Sequence, residues 1–559
     1  MADKIMQYKI SILLVVVSLI FFALGFATAS TMSRLLWHMI LLAGLVAGLA
    51  AALTGPESTK DFVRRNKVVI LFAAITVFAF LNANTSPELF FSELFTRFGR
   101  NTFIVLSLLI PVVAGLGLNF GIVIGAMSAQ VAIFLAIVFG GVGFWGLMLA
   151  VIIATPLAML LGYSVGRLFN GMKGSEMIGG MIAGIFYDGF YQFLFLWVFG
   201  GLIPLAMLFP NTAPRMMVGD GGVGVVSTID LGQTPNYFRQ AFDNVPMLSI
   251  LQVMFFAMLA FVVIGIIINL AKKQDFKQGL LKPMVVLAVL AVGFGLSFIP
   301  DINTFLNQPR LAGIYALRLV FIVTVLMVVY RYVMARREGK PFNIPKHVFY
   351  LVLATAVLAF TLPADYSLVL RRVQIAVLPY MMVGGLCFGI TWFLKTKLGQ
   401  NMRTVGHNRA VATAAGINVN RTRIIAMMMS TVLASWGQII FMQNIGLMTT
   451  YGGHQQVGFY AIAALLVGGA TVSKASVKHA ILGVFLFHAM FILAPPASIQ
   501  LTGSAGIGEY SRVIAGNAVI ALALIMHVWT RVKKTKKDKA KPPEAPPAAA
   551  SEPAAEPAS

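Results

Sequence analysis

The sequence predicts an all-α fold, a polytopic transmembrane helical bundle of about 14–17 spans with re-entrant or broken helices. Three observations predict it. Hydrophobic residues make up 59% of the 559 positions and charged residues only 11%, and the mean hydropathy is +0.87; a soluble globule of this size could not be coated with so little polar surface. Apolar runs of about 20 residues, the length of one helical crossing, recur from residue 10 to residue 529. Lysine and arginine gather between those runs rather than within them, as residues that resist translocation do.

Taken in order, the first run, 10–29, ends in the small residues Ala27 to Ser30, which could pass for a signal-peptide cleavage site. Its length and the spans behind it favour a retained first helix. Runs at 35–54, 68–83, 102–118, 120–140 and 144–163 follow, then 177–209, 248–271, 283–299, 313–333, 347–363 and 374–394, and last 424–444, 459–470, 479–495 and 511–529. Two do not suit a single straight crossing: 177–209 is long enough to kink or re-enter, and 459–470 is too short to span. Broken backbone at that depth needs protein around it.

Basic clusters lie at Lys60, Arg64, Arg65 and Lys67, at Arg167 and Lys173, at Lys272, Lys273, Lys277 and Lys282, and at Arg331, Arg336, Arg337 and Lys340. With the segment Lys395 to Arg423 and the tail from Arg531, they are assigned to one side, the cytoplasm, which then holds both termini. Strict alternation does not place every cluster there, and Arg97 with Arg100, and Arg371 with Arg372, also fall out of step. The net charge of +23 is therefore read as topology and not as a nucleic-acid surface. Between Asn211 and Pro246 a glycine-rich stretch carries Asp220, Asp230 and Asp243 and reads as an outer loop. Residues 531–559 pass from lysines to proline, alanine and glutamate, a composition that cannot bury a core, and the basic part suits anionic lipid headgroups.

Several chemistries are excluded by missing motifs. No G-x-x-x-x-G-K-[ST] string is present to hold nucleotide phosphates, no H-E-x-x-H helix to hold zinc, and no G-x-S-x-G elbow to present a serine nucleophile. Cys387, the single cysteine, sits in an apolar run and can form no internal disulfide. No catalytic residue and no metal site is assigned.

The most informative hydrophilic stretch is KTKLGQNMRTVGHNRAVATAAGINVNRTR, Lys395 to Arg423, with six lysines and arginines and no acid. Alanine-rich helical propensity runs from Asn408 to Ala415, and Gly416 stands where a left-handed residue ends a helix. A short helix with a glycine stop suits a groove on another protein; a solvated loop obeying the positive-inside rule is the plain alternative. The string RTVGHNRAVATAAGINVNRTR resembles the cytoplasmic coupling region of ABC-importer permeases of the branched-chain amino acid, ribose and nucleoside group, which reads R-A-V-G-x-N, then A-A, then G-I-x-V and a basic residue. Thr404 stands where that family has alanine, and Ser435-Trp436-Gly437 where it tends towards A-G-x-G. Two further strings are similar to family segments in the same order: Gly115 to Ala132, and Gly458 to Phe487 with Gly468, Gly469 and Gly483.

The resemblance implies that Gly406, Asn408, Ala414, Ala415, Gly416, Ile417 and Val419 contact an ATPase subunit. It also implies an enlarged member of the group. Additional N-terminal transmembrane segments occupy 1–100, the first part of the permease core 101–271 with outer loop 211–246, inserted transmembrane segments 272–373, the second part of the core 374–530 with coupling loop 395–423, and a disordered tail 531–559. The chain itself then needs no cofactor, since ATP and magnesium sit on the partner ATPase. Implied partners are cytoplasmic ABC ATPases, a second permease chain, an extracytoplasmic solute-binding protein and membrane lipids, and the implied location is the bacterial inner membrane.

Polar groups within apolar runs are costly and mark candidate pathway residues. In IFYDGFYQF, Asp188 stands beside Tyr187, Tyr191 and Gln192, a set able to hydrogen-bond a hydroxylated or heterocyclic solute while the aromatic faces stack on it. An acid paired to fix helix packing is the alternative. Asn119 joins the set, and Gln130, Gln438, Gln443 and Asn444 are uncharged alternatives, each equally explained as a helix–helix hydrogen bond. His488 reads as a core histidine. The expected function is import of a small polar solute, a nucleoside or simple sugar ahead of a branched-chain amino acid, by alternating access. Two rivals remain: a secondary transporter driven by an ion gradient through Asp188, and a membrane enzyme using the acids of the outer loop.

Overall fold

The computed structural model describes residues 66–521 other than 173, 220, 233–236, 272–276, 338, 340–346, 348–349, 352–353, 356, 360, 363 and 519–520. The spans expected at 10–29 and 35–54, part of 511–529, the tail, Asp220 and the lysines and arginines before residue 66 lie outside the described residues. Among the described residues seven helices are long and apolar enough to cross a membrane, or up to nine if each of two bent pairs is one crossing. The protein is a polytopic helical membrane bundle.

Helix α1 covers Lys67–Asn82 and α2 Pro87–Ser107. The start of α2 follows from local chemistry: the Ser86 hydroxyl accepts the Leu89 N–H at 3.3 Å, Pro87 fills a first-turn place where no N–H is needed, and Glu88 faces the positive helix end. Arg97 and Arg100, out of step as topology signals, lie inside this helix. Arg97 pairs with Glu93 one turn away at 2.6 Å, and Arg100 donates to Asn444 at 2.9 Å. Arg372 likewise pairs with Glu88 at 3.1 Å. Arg100 and Arg372 tie separate helices together and Arg97 is paired within its own helix, so none of the three needs a loop to carry its charge.

The centre of the bundle is built from α3 (Ile122–Val138), α4 (Gly143–Gly171) and α12 (Val419–Ile445), with α12 packed on α2, α3 and α4. Nearly every side chain of α3 is buried, as a helix that is apolar all round requires. Gly162 and Gly166 bring α4 against the backbone of Met428 and Ile424, the close approach that small residues allow between helices in lipid. Next in the chain, α5 spans Glu176–Phe193 and passes into a π-helical turn at Leu194–Val198, so the segment expected at 177–209 leaves the helix at Phe199.

Helices α6 (Met247–Ala271) and α7 (Lys277–Leu296) pair mainly with each other, with Phe255 and Phe294 stacked at 5.1 Å. They and α8 (Gly313–Arg337) leave large apolar side chains such as Phe256, Val289 and Leu326 exposed, as lipid-facing spans do. The chain bends by 110° after α7 and by 75° between α9 (Val377–Phe393) and α10 (Lys397–His407). After α11 (Arg409–Ala414) and α12 come α13 (Gly453–Val467) and α14 (Val477–Thr502). At 15 residues α13 is about 22 Å long, short of a hydrocarbon core of about 30 Å. Two antiparallel ribbons complete the fold: β1 (Thr228–Asp230) with β4 (Leu447–Thr449), and β2 (Arg310–Ala312) with β3 (Gln374–Ala376). The first ties the 211–246 loop to the α12–α13 connection, with Ile229 opposite Met448.

Candidate functional site

The segment Lys395 to Arg423 contains two helices where the sequence indicated one. α10 starts under Thr396, whose hydroxyl accepts the Gly399 N–H at 3.3 Å, and buries Gly399, Met402 and Val405 at three-residue spacing. Asn408 then caps α11, its Oδ1 accepting the N–H groups of Ala410 at 2.9 Å and Val411 at 3.2 Å. α11 stops at Gly416, which has φ +74°, and the Ile417 N–H closes back on the Ala412 carbonyl at 3.0 Å. Asn418 caps the next helix through the Arg421 N–H at 2.9 Å. Two caps and a glycine stop thus fix a single turn and a half of helix on the surface of the bundle.

The residues singled out on this segment divide in two. Ala414, Ala415 and Gly416 are exposed, and with Val411, itself 57% exposed, they present a small apolar face. Ile417 and Val419 are half-buried beneath it. Gly406 points the other way: a β-carbon there would overlap the Val113 carbonyl oxygen, so the end of α10 lies directly on the backbone after α2. Asn408 is exposed but spends its side chain on capping.

Within the membrane-spanning region Asp188 is the centre of a polar cluster. Its Oδ1 meets His454 Nε2 at 2.7 Å, and its Oδ2 accepts from Gln455 at 2.8 Å and Gln192 at 3.0 Å. On the other side of the ring, His454 Nδ1 is 2.8 Å from Gln130 Oε1, while Gln130 Nε2 donates to the Thr449 carbonyl at 3.0 Å. Because Thr449 fixes which way the Gln130 amide faces, His454 Nδ1 must donate to it. The Asp188–His454 contact therefore holds one shared proton, either as a neutral acid beside neutral imidazole or as carboxylate beside imidazolium. Either way the pair is neutral overall, a low-cost way to keep two ionisable groups in a membrane.

Tyr191 closes the cluster, its ring against His454 with centroids 4.9 Å apart and its hydroxyl donating to the Thr450 carbonyl at 3.0 Å. Asp188, Tyr191 and Gln192 are thus brought together. Tyr187 and Asn119 are not part of that cluster: Tyr187 bonds the Ser164 hydroxyl on α4, and Asn119 reaches Ser430 at 3.5 Å. His454 and Gln455 were missed by sequence reasoning, although the run GGHQQ just before an apolar helix was a signal for them. His488 is a core residue beside Phe487 and Phe491. Asp243 is buried and bound by Gln443 and Asn444, and Asp230 accepts the Gly232 N–H at 2.7 Å.

Comparison with known proteins takes in the first region and, of the Asp188 cluster, only the side that carries His454 and Gln455. Residues 237–523, just over half of the chain, match the family described as branched-chain amino acid transport system / permease component. The match takes in α11, Gly416 and His454. Over 111 residues the chain is 34% identical to the autoinducer 2 import system permease protein of Klebsiella pneumoniae, covering 20% of this chain and 30% of that protein. It is 25% identical over 152 residues to the nucleoside ABC transporter permease protein of Lactococcus lactis, covering 26% and 38%. It is 30% identical over 145 residues to the ribose import permease protein of Escherichia coli, covering 25% and 43%. The chain spans less than half the length of these relatives. No solved structure matches it.

Proposed function

The chain belongs to the branched-chain amino acid transport system / permease component family, and from that premise we propose that it is the transmembrane subunit of an ATP-binding-cassette importer. It moves a small polar solute, a nucleoside or simple sugar ahead of a branched-chain amino acid, by alternating access. The chain is a transport subunit and not an enzyme; ATP and magnesium are bound by cytoplasmic ATPase partners. A second permease chain, an extracytoplasmic solute-binding protein and the lipids of the bacterial inner membrane complete the assembly, with both termini in the cytoplasm.

The observation that carries this reading is α11 with its exposed Ala414–Ala415–Gly416 stop, a rigid short helix held up on the Gly406 contact and matching the family in sequence. A helix so braced passes a push from a docked subunit into the bundle instead of absorbing it. In the pathway, Asp188 and Gln192 offer hydrogen bonds to the solute, which gains access by displacing Gln455, while Tyr191, buried with its ring against His454 and Phe195, holds the cluster in place. Much of the selectivity belongs to the binding protein.

One feature favours a second reading. The Asp188–His454 pair, with its shared proton, is a group that a proton-driven secondary transporter would use. Uptake of labelled guanosine, ribose and leucine by vesicles from producing cells separates the two. Uptake of one of them that needs ATP and survives an ionophore supports the importer; uptake abolished by the ionophore with ATP present supports the gradient-driven transporter.

A further inference from the structure

Beneath α11 lies a buried ion cluster that joins the docking segment to the helix bearing Asp188. Glu176 is the first residue of α5 and is 7% exposed. Its Oε1 accepts from Nη2 of both Arg409 and Arg423, each at 2.5 Å, and its Oε2 accepts the Gly174 N–H at 2.9 Å. Arg409 also reaches the Gly115 carbonyl at 3.4 Å, and Arg423 the Phe169 carbonyl at 3.2 Å. One carboxylate thereby gathers α11, α12, α5, the end of α4 and the backbone following α2.

The two arginines are not equivalent. Arg423 is fully buried, with Nε and Nη1 lacking hydrogen-bond partners among the described residues, so Glu176 is the group that makes its charge tolerable there. Arg409 stands at the first position of α11 with its side chain 35% exposed, so water can replace Glu176 as its partner. The cluster therefore consists of a permanent pair and an exchangeable arm, and the arm is the one on the docking helix.

We infer that Arg409–Glu176 is the strut through which movement of α11 reaches the solute pathway, with Arg409 a positioning residue for transport. Asp188 lies twelve residues into the helix that Glu176 begins, about 18 Å along its axis, and a helix transmits a displacement of its first turn along its length. The same charge-assisted bond that holds α11 to α5 in this state makes α5 follow when the ATPase moves α11; without it α11 moves alone. This inference rests on the ATP-driven reading above.

The test uses the whole chain assembled with its ATPase in lipid discs, Cys387 replaced by alanine, and spin labels at the exposed positions Ile152 on α4 and Ile185 on α5. The 152–185 distance is measured without nucleotide and after trapping with ATP and vanadate. The expected result is a shift on trapping in the otherwise native chain, loss of that shift in Arg409→Gln although the complex still traps nucleotide, and its return in Arg409→Lys, which restores a charge for Glu176. An equal shift in Arg409→Gln, or no shift in the native chain despite trapped nucleotide, overturns the strut. So does an Arg409→Gln chain that no longer assembles, because the contact is then a folding element. If no ATPase joins the native chain at all, the ATP-driven reading itself fails.

Discussion

Gly406 and Gly115 meet backbone to backbone: a β-carbon on Gly115 would stand 2.7 Å from the Gly406 Cα. The end of α10 is therefore seated on the bundle by a contact that leaves no room for a side chain. Gly406→Val forces the two backbones apart, an overpacking that costs about 1–3 kcal/mol. The expected outcome is a lowered melting temperature in detergent and weaker ATPase recovery, although Gly406 itself does not lie on the exposed face.

Gly416 adopts φ +74° with nothing within 4 Å of where a β-carbon would sit. The demand there is conformational and not steric. Gly416→Asn, which tolerates the left-handed region, is expected to keep ATPase binding, whereas Gly416→Val, a β-branched residue that does not, is expected to reduce it. Pull-down of the ATPase with each variant measures the difference.

His454 joins Asp188 to Gln130 across two helices. His454→Ala removes a hydrogen bond to a charged or proton-sharing group, worth about 1.5–3 kcal/mol, and is expected to slow uptake roughly 10- to 100-fold by the same figure. His454→Gln, which keeps one bond to Asp188, is expected to retain more. Initial uptake rates in vesicles, normalised to the amount of chain in the membrane, provide the check.

Asp243 accepts from both Gln443 and Asn444 and is 3% exposed. Asp243→Asn replaces one acceptor with a donor facing a donor, a loss of about 1–3 kcal/mol, so the expected outcome is reduced thermal stability with uptake per folded chain preserved. A membrane enzyme working through this acid would instead lose turnover without losing stability.

The bundle was legible in the sequence because apolar run length is set by bilayer thickness, a constraint every span must meet alone. The start of α2 was not. The Ser86–Pro87–Glu88 start is local, but Glu93, Arg97 and Arg100 interrupt the apolar run behind it, and while Glu93 and Arg97 pair one turn apart, Arg100 finds its partner in Asn444, 344 residues away in the chain. In the Asp188 cluster, Asp188 and Gln192 were visible as polar residues in an apolar run. His454 was not, because its turn reads as a span boundary and its meaning comes from a partner 266 residues distant. The stop at Gly416 is local and was read from the sequence; the cap at Asn408, equally local, was not, because Asn408 was counted into the helix it precedes. The ion cluster at Glu176, which joins residues more than 230 positions apart, was not.

The most direct test of an ATP-driven permease is affinity purification of the chain from its native membranes, unaltered and as Gly416→Trp, with identification of every co-purifying subunit. The account predicts an ATP-binding-cassette ATPase with the unaltered chain and its loss from the variant; recovery of the chain without any ATPase would contradict it and favour a gradient-driven transporter.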